Sequence, residues 1–203
     1  MSVLLALAQT LTNLMILPAG SGLPSGWKLN RMQGVDPPTF EITRSHTMRL
    51  IAVGQGGTAT YRLRSPIGPP PSLRQGTITW RWRAGTPLRS ADLKRRAADD
   101  SPIRVVITFQ DGRSIAYAWG NRESRGESFA SWAGQNRMVV VLQRAEDADG
   151  SWHEERRNPF SDYRRLWNRP PKPIVSVGVS IDSDALKIRA AAEVADLTWH
   201  APQ

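Results

Sequence analysis

The feature that most constrains this chain is a period of two. In "TITWRWRA", residues 77–84, Ile78, Trp80 and Trp82 fall on alternate positions, with Thr79, Arg81 and Arg83 between them. Successive side chains of an extended strand point to opposite sides, so this pattern fits a strand with one face in a core and the other toward water. The same alternation sets Ile103, Val105, Ile107 and Phe109 against Arg104, Val106 and Thr108, and it places Ile115, Tyr117 and Trp119 together in "SIAYAW". The runs "RMVVVLQ" and "IVSVGVSI" add β-branched residues that favour strands. Trp80 and Trp82 read as core.

Turn chemistry separates these runs. Asp111-Gly112 tolerates the positive φ of a tight hairpin and predicts one between strands 103–109 and 114–119. "VGQGGTAT" reads as a turn; no Lys-Ser/Thr follows its glycines, so it is not a phosphate loop. "SPIGPPPSLRQG" and "NRPPKP" are proline-rich connections barred from central strands, because proline lacks a ladder donor. Helix is confined to "SADLKRRAAD", capped by Ser90, and a shorter "SDYRRLW" after Pro159, with Ser161 accepting from the first free amides. Many short strands without alternating helices predict antiparallel sheets packed face to face. The expected fold is all-β: a jelly-roll-like β-sandwich with one or two short helices.

A length of 203 residues suits one domain, expected over 23–203. Residues 1–22, "MSVLLALAQTLTNLMILPAGSG", carry two readings. They are signal-like, with small residues Ala19, Gly20 and Ser21 where cleavage would fall, although a basic start is lacking and Gln9, Thr10 and Asn13 interrupt the apolar run. Alternatively they form a first strand or short amphipathic helix. No stretch approaches the roughly 20 apolar residues of a membrane-spanning helix. Cysteine is absent, which excludes disulfides, thiolate metal sites and cysteine nucleophiles. The net charge of +9 attracts anions, yet all but four of the 27 cations are arginines scattered along the chain. No helix-turn-helix, zinc-finger or RNP-type pattern accompanies them, so nucleic acid is not an expected partner.

Three polar clusters could carry chemistry. In "ADDSPIRVV", Asp99 and Asp100 precede a strand from which Arg104 projects; the carboxylates could bind a metal or share a proton, or Asp100 could pair with Arg104 or cap a turn. In "WHEERRNPFSDYRRLW", Glu154/Arg156 and Glu155/Arg157 send one of each sign to each face of an extended segment, and Asp162 lies within reach of Arg165 on the helical turn that follows. That balance predicts a corner whose charges satisfy one another. In "SIDSDAL", Asp182 and Asp184 share a side at a strand end; calcium is the ion such a pair would take, but two carboxylates fall short of its six to eight oxygens, and no metal site is expected. His46, His153 and His200 stand apart, and no Gly-x-Ser-x-Gly elbow occurs.

Taken in order, "WRWR", "ADDSPIRVVITF", "YAWGN", "WHEERRNPFSDYRR", the Asp182-Ser183-Asp184 step and "VADLTW" resemble the bacterial family Domain of Unknown Function 3047 over roughly residues 25 to 200. The resemblance implies secreted or periplasmic β-sandwich proteins with no established activity. The matching positions include Trp80, Trp82, Asp99, Asp100, Arg104, Trp119, Gly120, Asn121, Trp152, Glu155, Arg157, Asn158, Asp162, Tyr163, Asp182 and Asp184. The chain departs at Ala185, Leu186 and Lys187, where the family pattern tends to supply Asn-Thr and a small residue, and this weakens any cation site there.

Aromatic, arginine, aspartate and asparagine side chains near strand ends are the mixture that stacks on sugars and hydrogen-bonds their hydroxyls. The leading expectation is a non-catalytic module, periplasmic or secreted, binding a glycan or another polyhydroxylated or anionic envelope component. Its candidate residues are Asp100, Arg104, Trp119, Asn121, Glu155, Arg157, Asn158, Asp162, Tyr163, Asp182 and Asp184. The alternatives are a carboxylate-dependent hydrolase or lyase, with Glu155 or Asp162 as acid/base and Arg157 steering an anionic substrate, and a structural envelope protein.

Overall fold

A computed structural model of the chain describes residues 8–73 and 75–202, so the first seven residues of the signal-like stretch lie outside the described residues. The alternating segments form strands throughout. In chain order these are β1 (Ala8–Thr10), β2 (Gly20–Ser21), β3 (Trp27–Arg31), β4 (Thr39–Ile42), β5 (Met48–Val53), β6 (Gly56–Ile67) and β7 (Thr77–Ala84). There follow β8 (Ser101–Phe109), β9 (Ser114–Trp119), β10 (Ser128–Ser131), β11 (Gly134–Gln143), β12 (His153–Arg157), β13 (Ile174–Asp182) and β14 (Arg189–His200), with one α-helix, α1 (Pro159–Trp167), between β12 and β13.

Two seven-stranded sheets result. The first runs β12-β7-β14-β5-β4-β2, with β1 also paired to β14; the second runs β10-β11-β9-β8-β13-β6-β3. The pairings are antiparallel except β9 with β11, which is parallel. The fold is a jelly-roll-like β-sandwich, mostly strand with little helix.

The period-two pattern decides which side chains meet between the sheets. Trp80 and Trp82 of β7 are fully buried and touch β9 across the core. Ring centroids lie 5.4 Å apart for Trp80 and Tyr117, 5.6 Å for Trp82 and Trp119, and 5.5 Å for Trp80 and Trp82 edge to face. Ile103, Val105, Ile107 and Phe109 of β8 and Val177, Val179 and Ile181 of β13 complete this layer. Each fully buried aliphatic side chain contributes about 1.5–3 kcal/mol.

The Asp111-Gly112 hairpin forms as expected, with Gly112 at φ 81° and its amide bonded to the Phe109 carbonyl at 3.0 Å. Residues 8–17 lie along β14 and the core: Ala8 pairs with His200, Leu11 and Leu14 are buried, and the Trp27 indole donates to Asn13 at 2.9 Å.

Three expectations need correction. Residues 90–99 form no α-helix; only the 3-10 turn Arg96–Ala98 appears. Leu93 packs against Ala118, Val139 and Val141, and its amide donates to Glu123, so tertiary contacts override local helix propensity. Helix α1 is capped by Asn158, whose side chain accepts from the Ser161 amide at 3.0 Å, while Pro159 takes a first-turn position that needs no amide. Pro66 belongs to the end of β6, within a strand of the sheet interior. The missing donor is tolerated because the β6/β13 register shifts there, from Ile67 opposite Ile174 to Arg62 opposite Ser176.

Candidate functional site

Strands β6, β13, β8 and β9 send their apolar side chains inward, and their alternate residues form the outer face of the second sheet. Cross-strand register arranges that face in rows. One row reads Asn30, Thr58, Ser180, Arg104, Ala118, Val141. The next reads Lys28, Thr60, Gly178, Val106, Ala116, Val139, Phe129. A third reads Arg62, Ser176, Thr108, Ser114, Arg137.

The central strand β13 carries the smallest outward side chains, and Ser176 and Ser180 are only 8% and 6% exposed although they face out. Their cross-strand neighbours are larger: Arg62 and Thr108 beside Ser176, and Thr58 and Arg104 beside Ser180. The segment 88–99 covers the β9–β11 half, where Leu93 sits on Ala118, Val139 and Val141 with Phe129 beside them. Its Asp99 also reaches Arg104 of β8, and these contacts leave Ser114 and Arg137 of the third row untouched.

Carboxylates gather at one end of this face. Arg104 donates to the Asp99 carbonyl at 2.8 Å and carboxylate at 2.7 Å, and lies 3.8 Å from Asp182. The exposed Trp132 donates its indole N–H to Asp99 and stacks 5.2 Å beneath Arg96. Asp100 does not pair with Arg104 but accepts the amides of Ala185 and Leu186 at 3.0 and 2.9 Å, the turn-capping alternative. One carboxylate oxygen each from Asp100, Asp182 and Asp184 lies within 4.8 Å of the others.

Burial and the neighbouring Asp184 carboxyl push Asp182 up to about 8 against the attraction of Arg104. Burial also raises Asp99 and Asp100. Carboxylates this close repel one another when all are charged, so a proton on Asp182 or a nearby cation is favoured. Their hard oxygens suit a divalent ion, and Asp100 keeps further lone pairs beyond the two amide bonds. Gly56 is required here by close approach, since a Cβ would lie 2.7 Å from Asp182 Oδ1.

The other sequence-predicted residues sit elsewhere. Asp162, 5% exposed, accepts Arg157 through both oxygens at 2.8 Å, Tyr117 Oη at 2.8 Å and Arg165 at 3.2 Å. Tyr163 is buried beside Phe109 and donates to Asp111 at 2.6 Å. Asn158 donates to the Leu73 carbonyl at 2.8 Å while capping α1. Among the described residues Glu155 takes no arginine: it accepts the Trp82 indole at 3.1 Å and the Gln143 amide at 2.6 Å, from the inward face of the edge strand β12 opposite Trp80.

Trp119 is buried with its indole on the Arg144 carbonyl, and buried Asn121 donates to the Asp100 carbonyl, each at 2.8 Å. The structure thus joins Asp100, Arg104, Asn121, Asp182 and Asp184 at one end of the second sheet. It places Glu155, Arg157, Asn158, Asp162 and Tyr163 about β12 and α1. The two groups do not meet, because Tyr117, which reaches Asp162, and Arg104 project from opposite faces of that sheet.

Thr58, Thr60 and Arg62 of β6 and Ser176, Gly178 and Ser180 of β13 are not among the sequence-predicted residues. The signal was present in the alternation itself, as Thr58, Thr60 and Arg62 in "TATYR" and Ser176, Gly178 and Ser180 in "SVGVS".

The family model described as Protein of unknown function (DUF3047) matches residues 25–198. The chain belongs to this family. A search of curated proteins by sequence returns no match. Among solved structures, the DUF3047 chain is similar to the xyloglucanase domain of NopAA, a type three effector from Sinorhizobium fredii in complex with cellobiose. That pair is 10% identical, with 96% of this chain and 98% of that one covered, at a TM-score of 0.50. It is also similar to a family 11 carbohydrate-binding module from Clostridium thermocellum in complex with a β-1,3-1,4-mixed-linked tetrasaccharide, at 13% identity, 96% and 95% coverage and TM-score 0.41. A cellulase derived from Cel12A of Rhodothermus marinus follows at 11% identity, 91% and 98% coverage and TM-score 0.46.

Proposed function

We propose that this DUF3047 chain is a non-catalytic glycan-binding domain acting outside the cytoplasm, with its ligand lying along the outer face of the second sheet. One observation carries the reading. Thr58, Ser180, Ser176, Thr108 and Ser114 stand on neighbouring strands of one face, and their hydroxyls have no hydrogen-bond partner among the described residues. Hydroxyls both donate and accept, which suits a polyhydroxylated ligand, and the rigid ladder beneath fixes their spacing at about 4.8 Å per strand. Asn30, which donates to Thr60 at 2.8 Å, extends the polar surface to β3.

The hydrolase alternative assigns acid/base work to Glu155 or Asp162. Both carboxylates are occupied by internal donors, and Arg157 is committed to Asp162, which favours binding over cleavage. The structural-envelope alternative needs a protein partner in place of a glycan.

Affinity electrophoresis of the purified chain through gels holding a mixed-linkage β-glucan, a xyloglucan, an alginate or a polygalacturonate tests the proposal. Retardation by at least one polymer is expected. Thr58→Val with Ser180→Ala should reduce it while leaving thermal stability nearly unchanged. Free migration in every gel would overturn the reading, and release of new reducing ends would replace it with the hydrolase.

A further inference from the structure

On the outer face of the first sheet three arginines hold ion pairs, and two, Arg156 and Arg189, hold none among the described residues. On the first sheet Arg49 and Arg83 converge on Glu193 at 2.9 and 3.1 Å, Glu41 lies 3.5 Å from Arg49, and Arg81 holds Asp196 at 2.6 Å. On the second sheet Lys28, Arg62 and Arg137 are exposed and form no ion pair among the described residues. Register puts Arg62 and Arg137 in one row, at either end of Ser176, Thr108 and Ser114. That row crosses five adjacent strands, so its ends are about 19 Å apart at ordinary strand spacing.

From this row we infer that the ligand is a carboxylated polysaccharide, a polyuronate, lying across β6, β13, β8, β9 and β11 with carboxylates on Arg62 and Arg137 and ring hydroxyls on the residues between. The inference rests on the glycan-binding reading and names its ligand class.

Arginine forks match carboxylates in a bidentate way, and hydroxyl side chains between them match the hydroxyls of the intervening sugars. A neutral glycan usually draws its affinity from aromatic stacking. The row itself carries only Arg, Ser and Thr and no aromatic residue, so charge must supply what stacking does not. The same composition disfavours single-stranded nucleic acid, which binds through base stacking on aromatic rings.

Titration calorimetry with oligogalacturonate, its fully methyl-esterified form and a neutral mixed-linkage oligosaccharide tests this. Oligogalacturonate should bind and weaken as salt rises, and esterification should remove binding. Arg62→Gln with Arg137→Gln should lower affinity about tenfold, the sum of two exposed charge pairs. Arg156→Gln, on β12 of the other sheet, should leave affinity unchanged.

Equal affinity for the esterified and free acids, or undiminished binding in the double variant, overturns the polyuronate inference while leaving glycan binding intact. Tighter binding of a single-stranded oligonucleotide than of oligogalacturonate also overturns it. Failure of all three saccharides to bind removes both readings together.

Discussion

The outer faces of the two sheets are written in the same alternation, yet the first pairs Arg49, Arg81 and Arg83 with its own carboxylates and the second leaves Lys28, Arg62 and Arg137 without one among the described residues. On the first, Glu193 is gripped by Arg49, Arg83 and the Thr47 hydroxyl, so three strands are cross-linked by their side chains. On the second, Arg62 and Arg137 stand at either end of a row of free hydroxyls, and Asp99 and Asp182 crowd around Arg104 two rows away. Charge that stabilises a fold is charge already matched; the unmatched kind marks where a ligand is to be sought.

Removing a matched charge should cost the most stability. Asp162, the buried hub of the α1 corner, should show the largest effect: Asp162→Ala leaves Tyr117 and Arg157 without their acceptor and should cost about 3–4 kcal/mol in urea unfolding. Glu193→Ala should cost less, about 2 kcal/mol, because its arginines are partly exposed and screened. Burial pushes the Glu193 carboxyl up, but the hydrogen bonds from Arg49, Arg83 and Thr47 outweigh it and hold the group below its ordinary value. Its stabilisation is therefore present above the ordinary carboxylate range and lost as pH falls below it; the variant should flatten that acid limb of the stability curve.

Asp182 behaves in the opposite sense. Its folded-state value near 8 lies above the unfolded one, so the native state holds a proton that the unfolded state has lost between about pH 4 and 8. Stability should fall as pH rises through that window, and Asp182→Asn should lessen the fall. If calcium replaces the Asp182 proton beside Asp100 and Asp184, millimolar calcium should raise the melting temperature of the parent chain at pH 8 but not that of Asp182→Asn. The smallest effect belongs to the unmatched cations: Arg62→Gln with Arg137→Gln should change stability by less than about 0.5 kcal/mol.

The architecture was legible in the sequence because it rests on local period. The stripes at Ile78, Trp80 and Trp82 and at Ile115, Tyr117 and Trp119 identify their own strands, and Asp111-Gly112 its hairpin. Where tertiary contacts overrule local preference the reading failed, as in residues 90–99, which follow Leu93 onto the sheet. The site was less legible for a related reason. Which carboxylate meets which arginine depends on strand order: Asp182 reaches Arg104 because β13 lies beside β8, and Asp100 joins Asp184 through the turn after β13. Glu155 and Arg157 share one face of β12 as expected, but the first bonds Trp82 and Gln143 and the second Asp162, so they do not pair with each other. The row from Arg62 to Arg137 joins residues on five strands, and no local spacing announces it.

Amide chemical-shift mapping of the labelled 203-residue chain during titration with oligogalacturonate addresses the contrast between the faces most directly. Perturbations confined to β6, β13, β8, β9 and β11, centred on Ser176 and Thr108, are the expected result. Shifts centred on Glu193 and its arginines, or none at saturating oligosaccharide, would contradict it.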